Sequence, residues 1–124
     1  MSSGKLFRFE DMEIWKRAMS IACTLFRISE KLDQRRYYRF AEQLRAAALS
    51  ISNNISEGSG SGSARDFAHF LNISRRSVFE TANMTMVFCE MGIIEKGSRD
   101  AILRELEEEA KMLTAFIRTL RARS

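Results

Sequence analysis

The chain has 124 residues, 45% hydrophobic and 29% charged, with no proline, which bounds it to one compact domain. Average usage would supply about six prolines; their absence disfavours proline-rich linkers and turn-rich all-β folds and favours long helices. No apolar run approaches the roughly 18 residues of a spanning helix, and no apolar signal-peptide core follows the polar start. The expectation is therefore a cytoplasmic protein without membrane partners.

Lys plus Arg is 20 against 16 Asp plus Glu, for a net charge of +4. Fifteen of the basic residues are Arg, whose planar fork suits phosphate and carboxylate. A polyanionic partner is compatible with this balance, as is ordinary compositional bias. The two halves of the chain carry similar charge, so only local clusters are informative.

Ile14, Ala18, Ile21, Leu25, Ile28 and Leu32 recur in steps of three and four, which predicts a helix over about residues 11–33 with Asp11 as its N-cap. Asp33 to Arg36 interrupts the stripe. Phe40, Leu44, Ala47, Ile51 and Ile55 then predict a second helix over about 36–57. Gly58 to Ser63 alternates glycine and serine and reads as a loop, with Ser63 and Asp66 in capping-box spacing. A third helix over about 64–91 follows, its inner stripe being Phe67, Phe70, Leu71, Ser74, Val78, Thr81, Thr85 and Phe88, with Gly92 as a C-terminal glycine. Ser98 is the expected cap of a fourth helix over about 98–122, striped by Ile102, Leu106, Ala110, Leu113, Ile117 and Leu120. Its glutamates, Glu105 and Glu107 to Glu109, crowd the first half, and Arg118, Arg121 and Arg123 the end, in keeping with the helix dipole.

Four long helices with short connections predict an all-α, antiparallel up-down-up-down four-helix bundle. Matching heights across the turns places Cys23 and Cys89 about 21 Å apart, too far for a disulfide, so both read as free, small, buried residues. The same matching brings Arg45 near Ser77 and Glu80, a candidate structural polar network.

The chemistry on offer is narrow. His69 is the single histidine and lacks neighbours at metal-ligand spacing, and no Glu-x-x-His pair supports a di-iron site. No metal, cofactor or catalytic residue is expected. The glycine loop superficially resembles a phosphate cradle but has no GK[ST] and only Arg65 nearby, so an interhelical turn is the simpler reading. The candidate nucleic-acid-binding residues are Arg35, Arg36 and Arg39 with Tyr37 and Tyr38 between them, which combine phosphate-binding and base-stacking groups; a solvated charged turn is the alternative. Arg75 and Arg76 form a second basic pair. Trp15, Phe79 and Met84 lie off the inner stripes and are the candidate oligomer interface.

Phe9-Glu10-Asp11-Met12-Glu13-Ile14-Trp15-Lys16-Arg17-Ala18 resembles the opening F-x-D-L-x-V-W-x-x-A of the four-helix-bundle proteins encoded within intervening sequences of 23S ribosomal RNA genes. Gln43-Leu44-Arg45-Ala46-Ala47-Ala48-Leu49-Ser50-Ile51 followed by Asn54-Ile55-Ser56-Glu57-Gly58 is similar to that family's Q-L-R-R-A-A-x-S-I-P-S-N-I-A-E-G. Ser63, Phe67, Phe70 to Ile73, Ser77 and Glu80 continue the likeness. The resemblance implies a bacterial bundle assembled as a homopentameric ring. Through the related accessory protein of diversity-generating retroelements, it also implies a non-enzymatic scaffold contacting RNA or a nucleoprotein such as a reverse-transcriptase complex. A purely structural or protein-binding assembly protein is the alternative. Ser52 stands where the family has proline, Ser61 where arginine is common and Arg76 where glycine is usual, so helix two is expected to run straighter than in its relatives.

Overall fold

Each apolar stripe folds its segment into a helix that buries one face. The computed structural model, which describes residues 4–124, contains α1 (Glu13–Gln34), α2 (Tyr38–Ser59), α3 (Ala64–Glu90) and α4 (Lys96–Arg123), preceded by a 3₁₀ turn at Arg8–Asp11. They form an antiparallel up-down-up-down four-helix bundle, each helix packed on its neighbours in sequence and α1 closing more sparsely onto α4. Among the described residues there is no strand, and no helix is long and apolar enough to cross a membrane. Leu25, Leu32, Leu44, Ile51, Ile55, Leu71, Leu106, Leu113 and Ile117 are the large apolar side chains most fully withdrawn from water.

Several ends differ from the sequence expectation. Asp11 does not cap α1; it lies in the 3₁₀ turn and binds Lys5 at 2.7 Å, while Met12 occupies the N-cap without a side-chain bond. The turn is instead closed by the Glu10 carboxylate, which accepts the Leu6 and Phe7 N–H groups at 2.9 and 2.8 Å. Ser98 is not the cap of α4 either: burial of Ile93 and Ile94 brings the chain back onto the bundle early, and the helix starts at Lys96. Ser63 does cap α3, accepting the Asp66 N–H at 3.1 Å.

The stripe of α2 differs from expectation at its first position only, Leu44, Ala47, Ile51 and Ile55 being buried as expected. Phe40 is exposed and Ala41 is buried in its place, and Phe40 packs its ring 5.9 Å from that of Tyr37 instead. Both cysteines are free, yet Cys23 is exposed and Cys89 half-buried, so neither is the core residue its type suggested. Cys23 falls between the buried positions of α1, beside Met19, Phe26 and Leu49 in a shallow α1–α2 groove.

Two of the helix ends share one geometry. After α3, Gly92 at φ +78° lets its own N–H reach the Cys89 carbonyl and that of Ile93 reach the Phe88 carbonyl, each at 2.9 Å. After α1, the same pair of bonds runs from Arg36 to Asp33 and from Tyr37 to Leu32, again at 2.9 Å. These are Schellman motifs, in which the left-handed residue is usually glycine. In the α1–α2 turn that residue is Arg36, at φ 66°.

The α2–α3 seam is joined by direct hydroxyl hydrogen bonds and closes tightly at Gly58. The buried Ser74 hydroxyl donates to the Ile51 carbonyl at 2.8 Å, and Ser77 donates to Ser50 at 2.7 Å. Gly58, expected in the loop, lies inside α2 and is buried, because a Cβ there would stand 2.8 Å from both the Phe67 ring and the Phe70 Cβ. Gly58→Ala gains helix propensity but forces the two helices apart, and overpacking of this kind costs about 1–3 kcal/mol. Urea unfolding is expected to show a net loss of stability; a gain would mean that the seam yields freely.

Candidate functional site

The α1–α2 turn gathers the first five candidate residues into one exposed patch at an end of the bundle. Arg35 caps α1, Arg36 takes the left-handed position, Tyr37 is the N-cap of α2, and Tyr38 and Arg39 begin its first turn. Tyr37 and Tyr38 are 39% and 57% exposed, enough to offer ring faces to a ligand. Arg35 reaches across to the Gly92 carbonyl at 3.4 Å, which ties this turn loosely to the α3–α4 connection at the same end. Cationic forks and aromatic faces therefore project together from a turn fixed by backbone hydrogen bonds.

Arg75 and Arg76 do not join this patch. They lie near the middle of α3, about 21 Å along the helix from its C-terminal end. Arg75 is also occupied, donating to Asn72 at 2.8 Å and to Thr114 of α4 at 3.1 Å, whereas Arg76 is exposed.

The expected Arg45, Ser77 and Glu80 network is not formed. Arg45 turns toward α1, where it donates to Ser29 at 3.0 Å and to Asp33 at 3.1 Å. Ser77 is taken by Ser50, and Glu80 is exposed. Matching of heights leaves open the direction of a side chain around α2, which decides the neighbour it meets. Of the three candidate interface residues, Phe79 is exposed, whereas Trp15 and Met84 are half-buried against their own core. Trp15 stands edge-on to Phe9 at 4.9 Å. Phe79 opens onto an apolar α3–α4 groove of about 730 Å³ that also takes in Met86, Leu103 and Ala110.

Two features were not among the expected site residues. Arg8 and Arg123 flank the glycine loop, with Arg8 5.2 Å over the Phe67 ring, and with Ser61 to Ser63 they border a cleft of about 230 Å³. Arg65, the arginine adjacent in sequence, is not among its lining residues. The second is Glu109. It is fully buried, and burial is the main cause that raises its carboxyl from the usual 4.5 to about 8; Arg17 opposes the shift, and Glu13 and Glu105 add to it.

A sequence model of the 23S rRNA-intervening sequence protein family matches residues 10–115. The chain belongs to that family. The fold is also that of a solved protein of unknown function from the S23 ribosomal protein family of Bacteroides thetaiotaomicron. The two share 21% identity and a TM-score of 0.79, over 84% of this chain and 97% of the other. No curated protein matches the sequence. At the positions where the chain departs from the family pattern, Ser52 lies within an unbroken α2 and donates to the Leu49 carbonyl at 3.3 Å, and Ser61 closes the loop by donating to Gly58 at 2.6 Å.

The Arg45 and Asp33 side chains are both about one-third exposed, so solvent screens their pairing. A double-mutant cycle with Arg45→Ala and Asp33→Ala is expected to give a coupling of about 0.5–1 kcal/mol that shrinks in 1 M salt. A coupling of zero at low salt would show that the pair contributes nothing to holding α1 on α2.

Proposed function

We propose that the protein is a non-enzymatic, oligomeric scaffold that contacts RNA through the arginine and tyrosine patch of the α1–α2 turn. The observation that carries this reading is Arg36. Two matched Schellman turns sit at one end of the bundle, one with glycine in the left-handed position and the other with arginine. Placing a side chain there costs about 1 kcal/mol relative to glycine, a cost accounted for if a guanidinium is needed at that point. Exposed Tyr37 and Tyr38 beside it supply the stacking surfaces that unpaired RNA bases use. Membership of a family named for intervening sequences of 23S rRNA fits an RNA or nucleoprotein partner.

Self-assembly is supported by apolar surface left outside the bundle core. Phe79 is 64% and Met86 51% exposed along the α3–α4 groove, an unusual display for a lone soluble domain. The same groove supports the second reading, an assembly protein whose contacts are with protein alone. Five-fold symmetry rests on the family resemblance.

Salt separates the two. Binding of a single-stranded RNA, followed by fluorescence anisotropy, is expected to weaken steeply with ionic strength. Arg35, Arg36 and Arg39 changed together to Ala should flatten the slope of log affinity against log salt by about 2. Arg36→Gly should raise folding stability by about 1 kcal/mol while weakening RNA binding. A stabilised variant with unchanged RNA affinity would sink the assignment of the patch, and salt-independent or absent binding would favour the protein-only reading. Light scattering tests assembly independently: a particle of 14.3 kDa at micromolar concentration would exclude an obligate oligomer.

A further inference from the structure

The α1–α4 seam closes the bundle, and its middle carries charge among the apolar side chains. Arg17 of α1 donates to Glu105 at 2.9 Å and turns its Nε toward Glu109, 3.7 Å from Oε1. Glu109 is withdrawn from water, and among the described residues neither of its oxygens, nor the Arg17 Nε, has a hydrogen-bond partner. One guanidinium thus serves Glu105 and Glu109, with Glu13 a further negative charge acting on the same site. The buried faces of α2 and α3 carry no charged residue that would compensate. Clefts lie on either side of this cluster along the same seam. One, of about 160 Å³, is bordered by Ser20, Thr24, Ala101 and Glu105, and the other, of about 430 Å³, by Met12, Glu13, Met112 and Phe116.

We propose that Glu109, set between these clefts, is a protonation-controlled clasp: neutral, it keeps α1 closed on α4, and ionised, it admits water and loosens that seam. A neutral carboxyl tolerates the dry site, whereas a carboxylate there needs hydrogen bonds that the seam does not supply. Arg17 is already engaged by Glu105, so it satisfies the new charge only by giving up that bond or by drawing water in. Opening at this point joins the two clefts and exposes the apolar residues that line them. The remaining helix contacts, α1 on α2, α2 on α3 and α3 on α4, stay closed, so the change is confined to one seam.

The sign follows from the direction of the shift. The carboxyl is raised from the usual 4.5 to about 8 in the folded chain. The folded state therefore keeps a proton that the unfolded state releases, and stability falls as pH rises through the window between those values. Above about 8 the group is ionised in the folded chain as well, and the seam is at its loosest.

Hydrogen exchange on the intact protein between pH 6 and 9.5, corrected for intrinsic rates, tests the clasp. Amides of α1 and α4 facing the seam are expected to lose at least tenfold in protection above pH 8, while those of the α2–α3 seam hold. Glu109→Gln, which fixes the neutral form, should abolish that loss and melt at a higher temperature than wild type at pH 9, by a margin that narrows as pH falls toward 4.5. Identical pH profiles for wild type and variant would overturn the proposal. Carboxyl-carbon NMR on the wild-type protein gives an independent reading: titration of Glu109 near 8 supports the clasp, and titration in the ordinary carboxylate range overturns it.

Discussion

The close approach of α2 and α3 is the constraint from which the rest of the bundle is built. Small and hydroxyl-bearing side chains at Ser50, Gly58, Ser74 and Ser77 let the two helices meet with little side-chain volume between them. Ser74 bonds directly to the backbone of α2 at Ile51. Such bonds are specific in a way that apolar packing is not, because a register slip would strand a buried hydroxyl away from its acceptor. Once α2 and α3 are fixed, α1 and α4 pack on them in turn through conventional apolar stripes. The α1–α4 seam closes last in the topology, with the sparsest packing and the most charge.

The arginines divide accordingly. Arg17, Arg45 and Arg75 each reach from one helix to another, to α4, α1 and α4 respectively, and are held by partners there. Arg35, Arg36 and Arg39 project from a turn and leave most of their hydrogen-bonding capacity to solvent. A positive net charge alone does not distinguish these groups, but their burial and bonding do. The functional reading rests on the second set, because a guanidinium already bonded within the bundle has little left to offer phosphate. The energetic oddity of Arg36 adds weight, since it places a long cationic side chain where the backbone favours glycine.

Glu109 is a buried position where local chemistry and global fold disagree. A carboxyl on an otherwise apolar stripe, with no hydrogen bond and a single shared cation, destabilises the charged form of the folded state. Its spacing was visible: Leu106, Glu109 and Leu113 continue the same stripe in steps of three and four. Residue type directed attention instead to Ala110, which is half-buried, and counted Glu109 among the glutamates that complement the helix dipole. Phe40 shows the same error with the sign reversed. Its apolar character suggested the core, whereas Ala41 one residue later occupies the buried position.

Sequence by itself determined the class of fold, the number of helices, the connections between them and most of the core. These follow from hydrophobic period and turn residues, which act over a few residues and are written locally. It also marked the arginine and tyrosine patch, because five contiguous residues around one short turn stay together whatever the helices do. Tertiary structure alone decided what each interior polar group meets. Arg45 bonds α1 rather than α3, Arg8 and Arg123 converge on the glycine loop from opposite ends of the chain, and Arg17 faces Glu109 across the closing seam. A single rotation of a helix about its axis redirects every such side chain while leaving the apolar period almost unchanged, and only the packed bundle fixes that rotation.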